Sequence, residues 1–452
     1  MGDMKKSKNT IDMTHGTLWN KILLFALPLA ASSILQQLFN SVDTAVVGRF
    51  ASSRALAAVG STSSFISLMI NLFIGISLGS NVVIAHYIGQ KVEKNIQAAI
   101  HTAITVALIG GCFVMILGQF IGRPVLILMG TPEDVIDLAV QYLRIYFLGM
   151  PFILLYDFGS SILRSTGDSR RPLYSLIVAG ILNTVLNLIL VIVFQMGVAG
   201  VAIATVVSNI VSSGIVMWIL MHEPEPVRFT PRKLMINGKE LWKILSIGVP
   251  AGLQGMVFSL ANVCIQSTIN SFGSNAVAGS AAALNYEFFA YFIVNAFAQT
   301  TVTFTSQNYG AGEYDRCRKI FRINMAFSMV FCGLLSAVFV LGRSFFLGLY
   351  TTDASVLGYA TTRLVIATTL ELLTSAYEIS GGAMRGLGHS LQPALITVLG
   401  SCVLRLIWIS TACVVVHEFW VLIIIYPISW VVTGIIMIVS YLRLRKKMLI
   451  KN

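Results

Sequence analysis

The amino-acid sequence predicts an all-α membrane protein of about twelve transmembrane helices, arranged as two pseudo-symmetric six-helix lobes. Three observations predict it. Apolar runs of spanning length recur along the whole chain, charge is scarce and gathered at the ends of those runs, and the second half of the sequence repeats the first.

Of the 452 residues, 56% are hydrophobic and 11% charged, whereas a soluble domain carries about 25% charged residues. So little charge cannot cover a water-facing surface, so lipid must cover much of it. Runs of about 20 apolar residues are each long enough to cross a hydrocarbon core of about 30 Å as a helix. Helices are expected because backbone polar groups in lipid must be satisfied within the segment. Spans are placed near 20–48, 57–85, 97–121, 135–158, 172–194, 198–221, 241–271, 277–306, 318–342, 355–380, 392–415 and 418–442. One long polar break, His222 to Glu240 with Pro224, Pro226 and Pro231, splits them six and six. The expected organisation is a tail over 1–19, an N-lobe over 20–221, a linker over 222–240, a C-lobe over 241–442 and a basic tail over 443–452.

The net charge of +12 does not point to nucleic acid, because the charges sit at membrane boundaries. The first apolar run is too long for a signal peptide and lacks a small-residue cleavage site, so it is retained as a span. The six cysteines form no C-x-x-C pair, and most lie in apolar runs, where they read as small core residues rather than disulfides or metal ligands. With the N-terminus in the cytoplasm, 24 Lys and Arg fall on that side. Six fall on the other (Arg49, Arg54, Arg123, Arg144, Arg343 and Arg363), and only Arg405 remains inside a span. By the positive-inside rule both termini are then cytoplasmic, in a multi-pass inner-membrane protein.

The repeat is visible in LWNKILLFALP from Leu18 against LWKILSIGVP from Leu241, and in RSTGDSRRP from Arg164 against RGLGHSLQP from Arg385. Asn40 matches Asn262, Gly89 matches Gly310, and Tyr156-Asp157 matches Tyr377-Glu378. Six spans is an even number, so the halves point the same way, related by an axis along the membrane normal.

Polar groups inside spans are costly and usually face the bundle interior. The first span carries Gln36, Asn40 and Asp43 on one face, the fifth Asn183 and Asn187, the sixth Thr205 and Asn209. At about 1.5 Å per residue, Asp43, Asn187 and Thr205 fall at similar depth in the outer half of the membrane. A carboxylate, amides and a hydroxyl at one depth suit a proton or a small hard cation, which prefers oxygen ligands. The competing reading is a buried acid hydrogen-bonded between helices. In the second half, Ser259, Asn262 and Gln266 form one stripe, Glu287, Tyr291, Asn295 and Gln299 another, and Glu371, Ser375 and Glu378 a third. Glu287 and Glu371 are expected to attract a cationic substrate in a low-dielectric cavity. Arg405 is expected to pair with an acid at its depth, with Glu287 the candidate. No Walker-type phosphate loop, H-E-x-x-H, G-x-S-x-G or Cys/His constellation occurs.

The strings VDTAVVGR (Val42 to Arg49), ALAAVGSTSSF from Ala55, RSTGDSRRP from Arg164, NTVLNLILV from Asn183 and GVAGVAIATVVSN from Gly197 resemble the multidrug and toxic compound extrusion (MATE) family. The resemblance covers essentially the whole chain. It implies a bacterial exporter with two six-helix lobes, driven by protons or Na⁺ and expelling bulky, often cationic, amphipathic compounds. It also implies an N-lobe cation site, possible for Na⁺, at Asp43, Asn183, Asn187 and Thr205. The departure is Asn187, where many relatives carry Asp, which leaves Asp43 as the sole acid of the four. The helix-8 acid of the family looks like Glu287, in the sequence AALNYEFF. Gln36, Asn40, Asn209, Asn262, Gln266, Tyr291, Glu371 and Arg405 complete the expected substrate cavity. The reading is an ion-coupled antiporter, not an enzyme, without a cofactor beyond the coupling ion. Its partners are the lipid bilayer and small amphipathic or cationic molecules, with no nucleic acid, and a monomer is expected. Two rivals are a lipid-linked sugar flippase, which needs several cations in its cavity, and a membrane-embedded enzyme, which needs a catalytic cluster at a membrane face.

Overall fold

The structure is a computed structural model and describes residues 10–450; Lys5, Lys6, Lys8 and Lys451, counted for orientation, lie outside the described residues. Among the described residues, eleven helices are each long and apolar enough to span a membrane. They are α1 (Leu18–Ala51), α2 (Arg54–Gln90), α3 (Glu93–Leu128), α5 (Arg170–Val193), α6 (Gly197–Met221), α7 (Gly238–Asn270), α8 (Ser274–Gly310), α9 (Tyr314–Leu341), α10 (Ala354–Gly386), α11 (Leu391–Val415) and α12 (Phe419–Met448). The twelfth, α4, is a pair, Glu133–Leu148 and Met150–Ser165, bent by 48°. The bend falls at Gly149 and Pro151, where proline removes a backbone donor and its ring crowds the preceding turn.

Local chemistry sets several boundaries. The Ser52 side chain accepts from the Ala55 N–H at 3.0 Å and starts α2, which ends at Lys91 in the left-handed conformation (φ 58°). Asp353 accepts from the Ser355 and Val356 N–H groups at 2.8 and 3.3 Å and opens α10. The Ser355 hydroxyl and these N–H groups hold the Asp353 carboxyl below the usual carboxylate range. Other spans are interrupted internally. Wider π-turns occupy Val47–Ala51 in α1, Ile189–Val193 in α5, Leu364–Thr368 in α10 and Val398–Val403 in α11, and a 3₁₀ turn occupies Glu371–Leu373. Such breaks recur at functional sites. Because of them the tenth span is not one regular helix, and its expected Glu371, Ser375, Glu378 face does not hold by simple periodicity. Glu371 lies in the 3₁₀ turn, buried Ser375 bonds Ser328 at 2.7 Å, and half-buried Glu378 accepts from the Tyr291 hydroxyl at 3.0 Å.

The chain packs as two compact units. One comprises Leu27–Gly252 with a segment ending at Asp12, and the other comprises Met13–Ala26 with the chain from Leu253 onward. These units divide inside two helices rather than at 222–240. The unit boundaries fall inside α1 and α7, close to Pro28 and Pro250. Residues 222–240 belong wholly to the first unit because its side chains satisfy their backbone. Thr230 N–H donates to the His101 ring at 3.2 Å, Asn237 N–H to the Thr102 hydroxyl at 3.0 Å, and Phe229 packs on His101. Tyr87 of α2 donates to Glu240 at 2.7 Å. In the second unit, the short N-terminal segment is tied down through Met13, whose carbonyl accepts from Asn308 at 3.1 Å and Arg316 at 3.2 Å.

Within the first unit, α2 meets the start of α7 through four glycines. A Cβ on Gly75 would lie 2.1 Å from Gly252 N, and one on Gly248 would lie 2.5 Å from Ile76 Cα. Gly75 and Gly79 on one side and Gly248 and Gly252 on the other repeat at i, i+4, the small-residue spacing that lets membrane helices approach backbone to backbone. Gly248→Val should therefore lower the melting temperature in detergent, by the equivalent of about 1–3 kcal/mol of overpacking. Gly60→Ala, with nothing within 4 Å of its Cβ, should not. Equal melting temperatures for the two variants would refute the close-packing account.

Candidate functional site

Two polar constellations stand out, one in each unit. In the first, Asp43 lies on α1 just before its π-turn, and Asn183 and Asn187 lie on α5 just before its own. Those two π-turns pack against each other. The Asn187 side-chain amide donates to the Asp43 carboxylate and, at 3.2 Å, to the Asn183 side-chain oxygen. Both asparagines are buried, while Asp43 is half-buried. With its amide group so engaged, the Asn187 side-chain oxygen is buried and has no partner. The α6 residues bond within their own helix, the Thr205 hydroxyl to the Val201 carbonyl at 3.0 Å and the Asn209 amide to the Thr205 carbonyl at 2.8 Å. Gln36 and Asn40 are exposed. The structure thus brings together three of the four expected cation-site residues and leaves Thr205, Asn209, Gln36 and Asn40 outside the hydrogen-bonded cluster. Tyr142 and Tyr146 of α4, not singled out from the sequence, lie within electrostatic reach of Asp43, and Tyr146 also of Asp157. Their i, i+4 spacing in an apolar run was the available signal.

The second unit holds a cavity of about 230 Å³. Six of the nine residues expected in a substrate cavity, Asn262, Gln266, Glu287, Tyr291, Glu371 and Arg405, line it, and Gln36, Asn40 and Asn209 do not. Its aromatic walls include Phe258, Phe288, Tyr426 and Trp430. Four charged groups face this space, and one of them was misplaced by sequence reasoning. Arg363, expected in an outer loop, is 2% exposed and lies on α10, nine residues into the helix that starts at Ala354.

Arg363 takes the partner expected for Arg405. Its Nε and Nη2 donate to the two Glu287 oxygens at 2.6 and 2.9 Å, and its Nη1 donates to Ser280 at 2.7 Å. This is a two-pronged fork, the strongest geometry for the pair. A bare cation in hydrocarbon is costly, and Glu287 and Ser280 offset that cost for Arg363. The expectation that Glu287 offers free negative charge to a cation is corrected in the same way. Arg405 instead donates through Nε to the Ser429 hydroxyl at 2.9 Å. The Tyr426 ring serves both arginines, 4.5 Å from the Arg405 guanidinium and 5.3 Å from that of Arg363. Buried Glu371 has neither a hydrogen bond to its carboxylate nor an ion pair among the described residues. Among the described residues no group of three or more His, Cys, Asp or Glu is placed to hold a metal.

A family model described as MatE matches residues 28–189 and 250–409. A probable multidrug resistance protein of Bacillus subtilis (strain 168), YoeA, is 31% identical over 401 residues, covering 87% of this chain and 85% of that protein. The probable multidrug resistance protein NorM of Thermotoga maritima is 25% identical over 399 residues, covering 85% and 84%. Among solved structures, the outward-facing conformation of a multidrug resistance MATE family transporter of the MOP superfamily superposes with a TM-score of 0.91. It is 23% identical, over 99% of this chain and all of that one, a likeness of fold.

If the Glu287–Arg363 fork neutralises both charges, removing either member leaves the other buried and alone. Glu287→Gln and Arg363→Gln should each destabilise the protein by about 3–5 kcal/mol, and the double variant by much less than their sum. Thermal unfolding of the four proteins closes this cycle, and strict additivity would show that the pair is not coupled.

Proposed function

The chain belongs to the MatE family, and on that premise we propose that it is a multidrug efflux antiporter of a bacterial inner membrane. A proton or Na⁺ moves inward through the N-lobe while an amphipathic compound, often cationic, moves outward by alternating access. The observation that carries this reading is the Asp43–Asn187–Asn183 cluster. It places the Asp43 carboxylate against the Asn187 amide, which also bonds Asn183, in a half-buried site, with the Asn187 oxygen left as an unsatisfied buried acceptor. An acceptor in that state favours a donor or a cation that the protein does not itself supply. The available ligands are all oxygen, the preference of a small hard cation, and a proton on Asp43 would equally relieve the buried charge. Thr205 would join by a rotation of its hydroxyl away from the Val201 carbonyl. Binding of the ion and of the exported compound must then alter each other's affinity by the same factor.

The surplus of Lys and Arg on one side supports cytoplasmic termini. The reading is of a transporter, not an enzyme, that works as a monomer without nucleic acid. A lipid-linked sugar flippase gains little from the second arginine in the cavity. The Arg363 donors are taken up by Glu287 and Ser280, so Arg405 is the one cavity arginine without an ion pair among the described residues, with Glu371 within electrostatic reach.

Everted membrane vesicles test the coupling. Uptake of a fluorescent cationic dye should follow either an imposed pH gradient or an imposed Na⁺ gradient, and the gradient that works names the ion. Asp43→Asn should abolish coupled uptake while leaving the protein folded and at normal abundance. Normal uptake by a well-expressed Asp43→Asn variant would remove Asp43 from the coupling site.

A further inference from the structure

The cavity of the second unit is not an acidic trap. Glu287, Arg363, Glu371 and Arg405 line it together, two carboxylates and two guanidinium groups. The Glu287–Arg363 fork consumes one of each sign, which leaves Glu371 and Arg405.

Glu371 has no hydrogen bond to its carboxylate among the described residues, and Arg405 is only partly satisfied. Arg405 is 1% exposed, its Nε is held by an uncharged hydroxyl, and its Nη2 is buried with no partner. Among the described residues no carboxylate lies within ion-pair distance of it. The faces of Tyr426 and Phe258, 4.5 and 5.5 Å from its guanidinium, offset part of the desolvation. They supply no acceptor oxygen, and a guanidinium is a planar fork of donors matched to carboxylate or phosphate. A buried arginine with an unfilled donor, lining an aromatic cavity, is a half-made anion site.

We propose that this cavity binds the anionic group of an amphipathic, aromatic substrate on Arg405, so that the transporter's substrates extend to compounds bearing a carboxylate or phosphate. The aromatic body lies between Phe258, Phe288, Tyr426 and Trp430. A space of about 230 Å³ accommodates the head and a ring system rather than a whole large drug. Glu371 selects among such compounds. It repels a bare dianion and favours a ligand that also carries an amine or brings a proton to that carboxylate. The substrate is a soluble organic acid rather than a lipid headgroup, because the apolar part of the lining is mostly aromatic and the space of about 230 Å³ is of ring-system size.

This inference rests on the transporter reading, and its test needs no ion gradient, so failure of coupling and failure of this site are separable. The full-length protein is purified in an uncharged detergent. Binding of 2-naphthoate, 2-naphthamide and 2-naphthylmethylammonium is measured by calorimetry. The carboxylate should bind about tenfold or more tightly than the amide, the range expected for a charge-assisted bond. Arg405→Gln should lose that preference, Arg405→Lys should keep part of it, and Gly60→Ala, whose added Cβ meets nothing within 4 Å, should keep all of it. Should Arg405→Gln fail to fold, the order of the three probes on the native protein and on Arg405→Lys still decides. Tighter binding of the ammonium than of the carboxylate overturns the proposal, as does a carboxylate preference that survives in folded Arg405→Gln. Displacement of naphthoate by added phosphatidylglycerol would assign the site to a lipid headgroup and overturn it as well.

Discussion

A charge carried into hydrocarbon must be paired, hydrogen-bonded or turned towards water, and most of what is distinctive in this molecule follows from that constraint. Glu287 and Arg363 neutralise each other through a two-pronged fork, with Ser280 taking a further donor. Asp43 is met by the amide of Asn187. Arg405 has a serine hydroxyl and an aromatic face but no acid. The three solutions leave different amounts of unsatisfied charge. The fork is closed and reads as structural. The Asp43 cluster and Arg405 each retain a polar atom without a partner, and these are the places where a transported species would be stabilised. Function therefore gathers where compensation is incomplete.

Backbone pairing in the spans is subject to the same constraint, and its local relaxations coincide with those sites. The π-turns at Val47–Ala51 and Ile189–Val193 adjoin Asp43 and Asn187. The π-turn at Leu364–Thr368 follows directly after Arg363, and the 3₁₀ turn at Glu371–Leu373 begins after two further residues. An extra or missing residue per turn rotates the side chains beyond it. Such a turn can aim a polar group inwards where strict helical periodicity would have sent it elsewhere. Away from these sites the packing is conventional for membrane helices, with the glycines of α2 and α7 in near backbone contact.

The division of the chain shows how local bonding overrides linear order. The proline-rich stretch over 222–240 looked like a linker because it is polar and unpatterned. Yet His101, Thr102 and Tyr87 hold it and its ends within the first unit. The unit boundaries lie inside α1 and α7. Both helices are continuous there, so nothing in the hydropathy of either run marks the point.

By itself the sequence determined the fold class, the twelve spans, the repeat and the family. Each depends on hydrophobicity summed over about 20 residues, or on strings long enough to be distinctive, and such signals survive without coordinates. Asp43, Asn183 and Asn187 were legible for the same reason, as polar residues at helical spacing in otherwise apolar runs. So were the six residues of the second cavity. Only the tertiary structure decided which charge meets which. Arg363 and Arg405 are both single cations near apolar runs, and sequence spacing cannot say which of two helices turns its arginine towards Glu287. That choice depends on helix rotation, on the π and 3₁₀ turns between Arg363 and Ser375, and on the position of Ser280 and Tyr426 across the gap. These are contacts of high sequence separation, where an error of about one residue turns a side chain by about 100° around its helix.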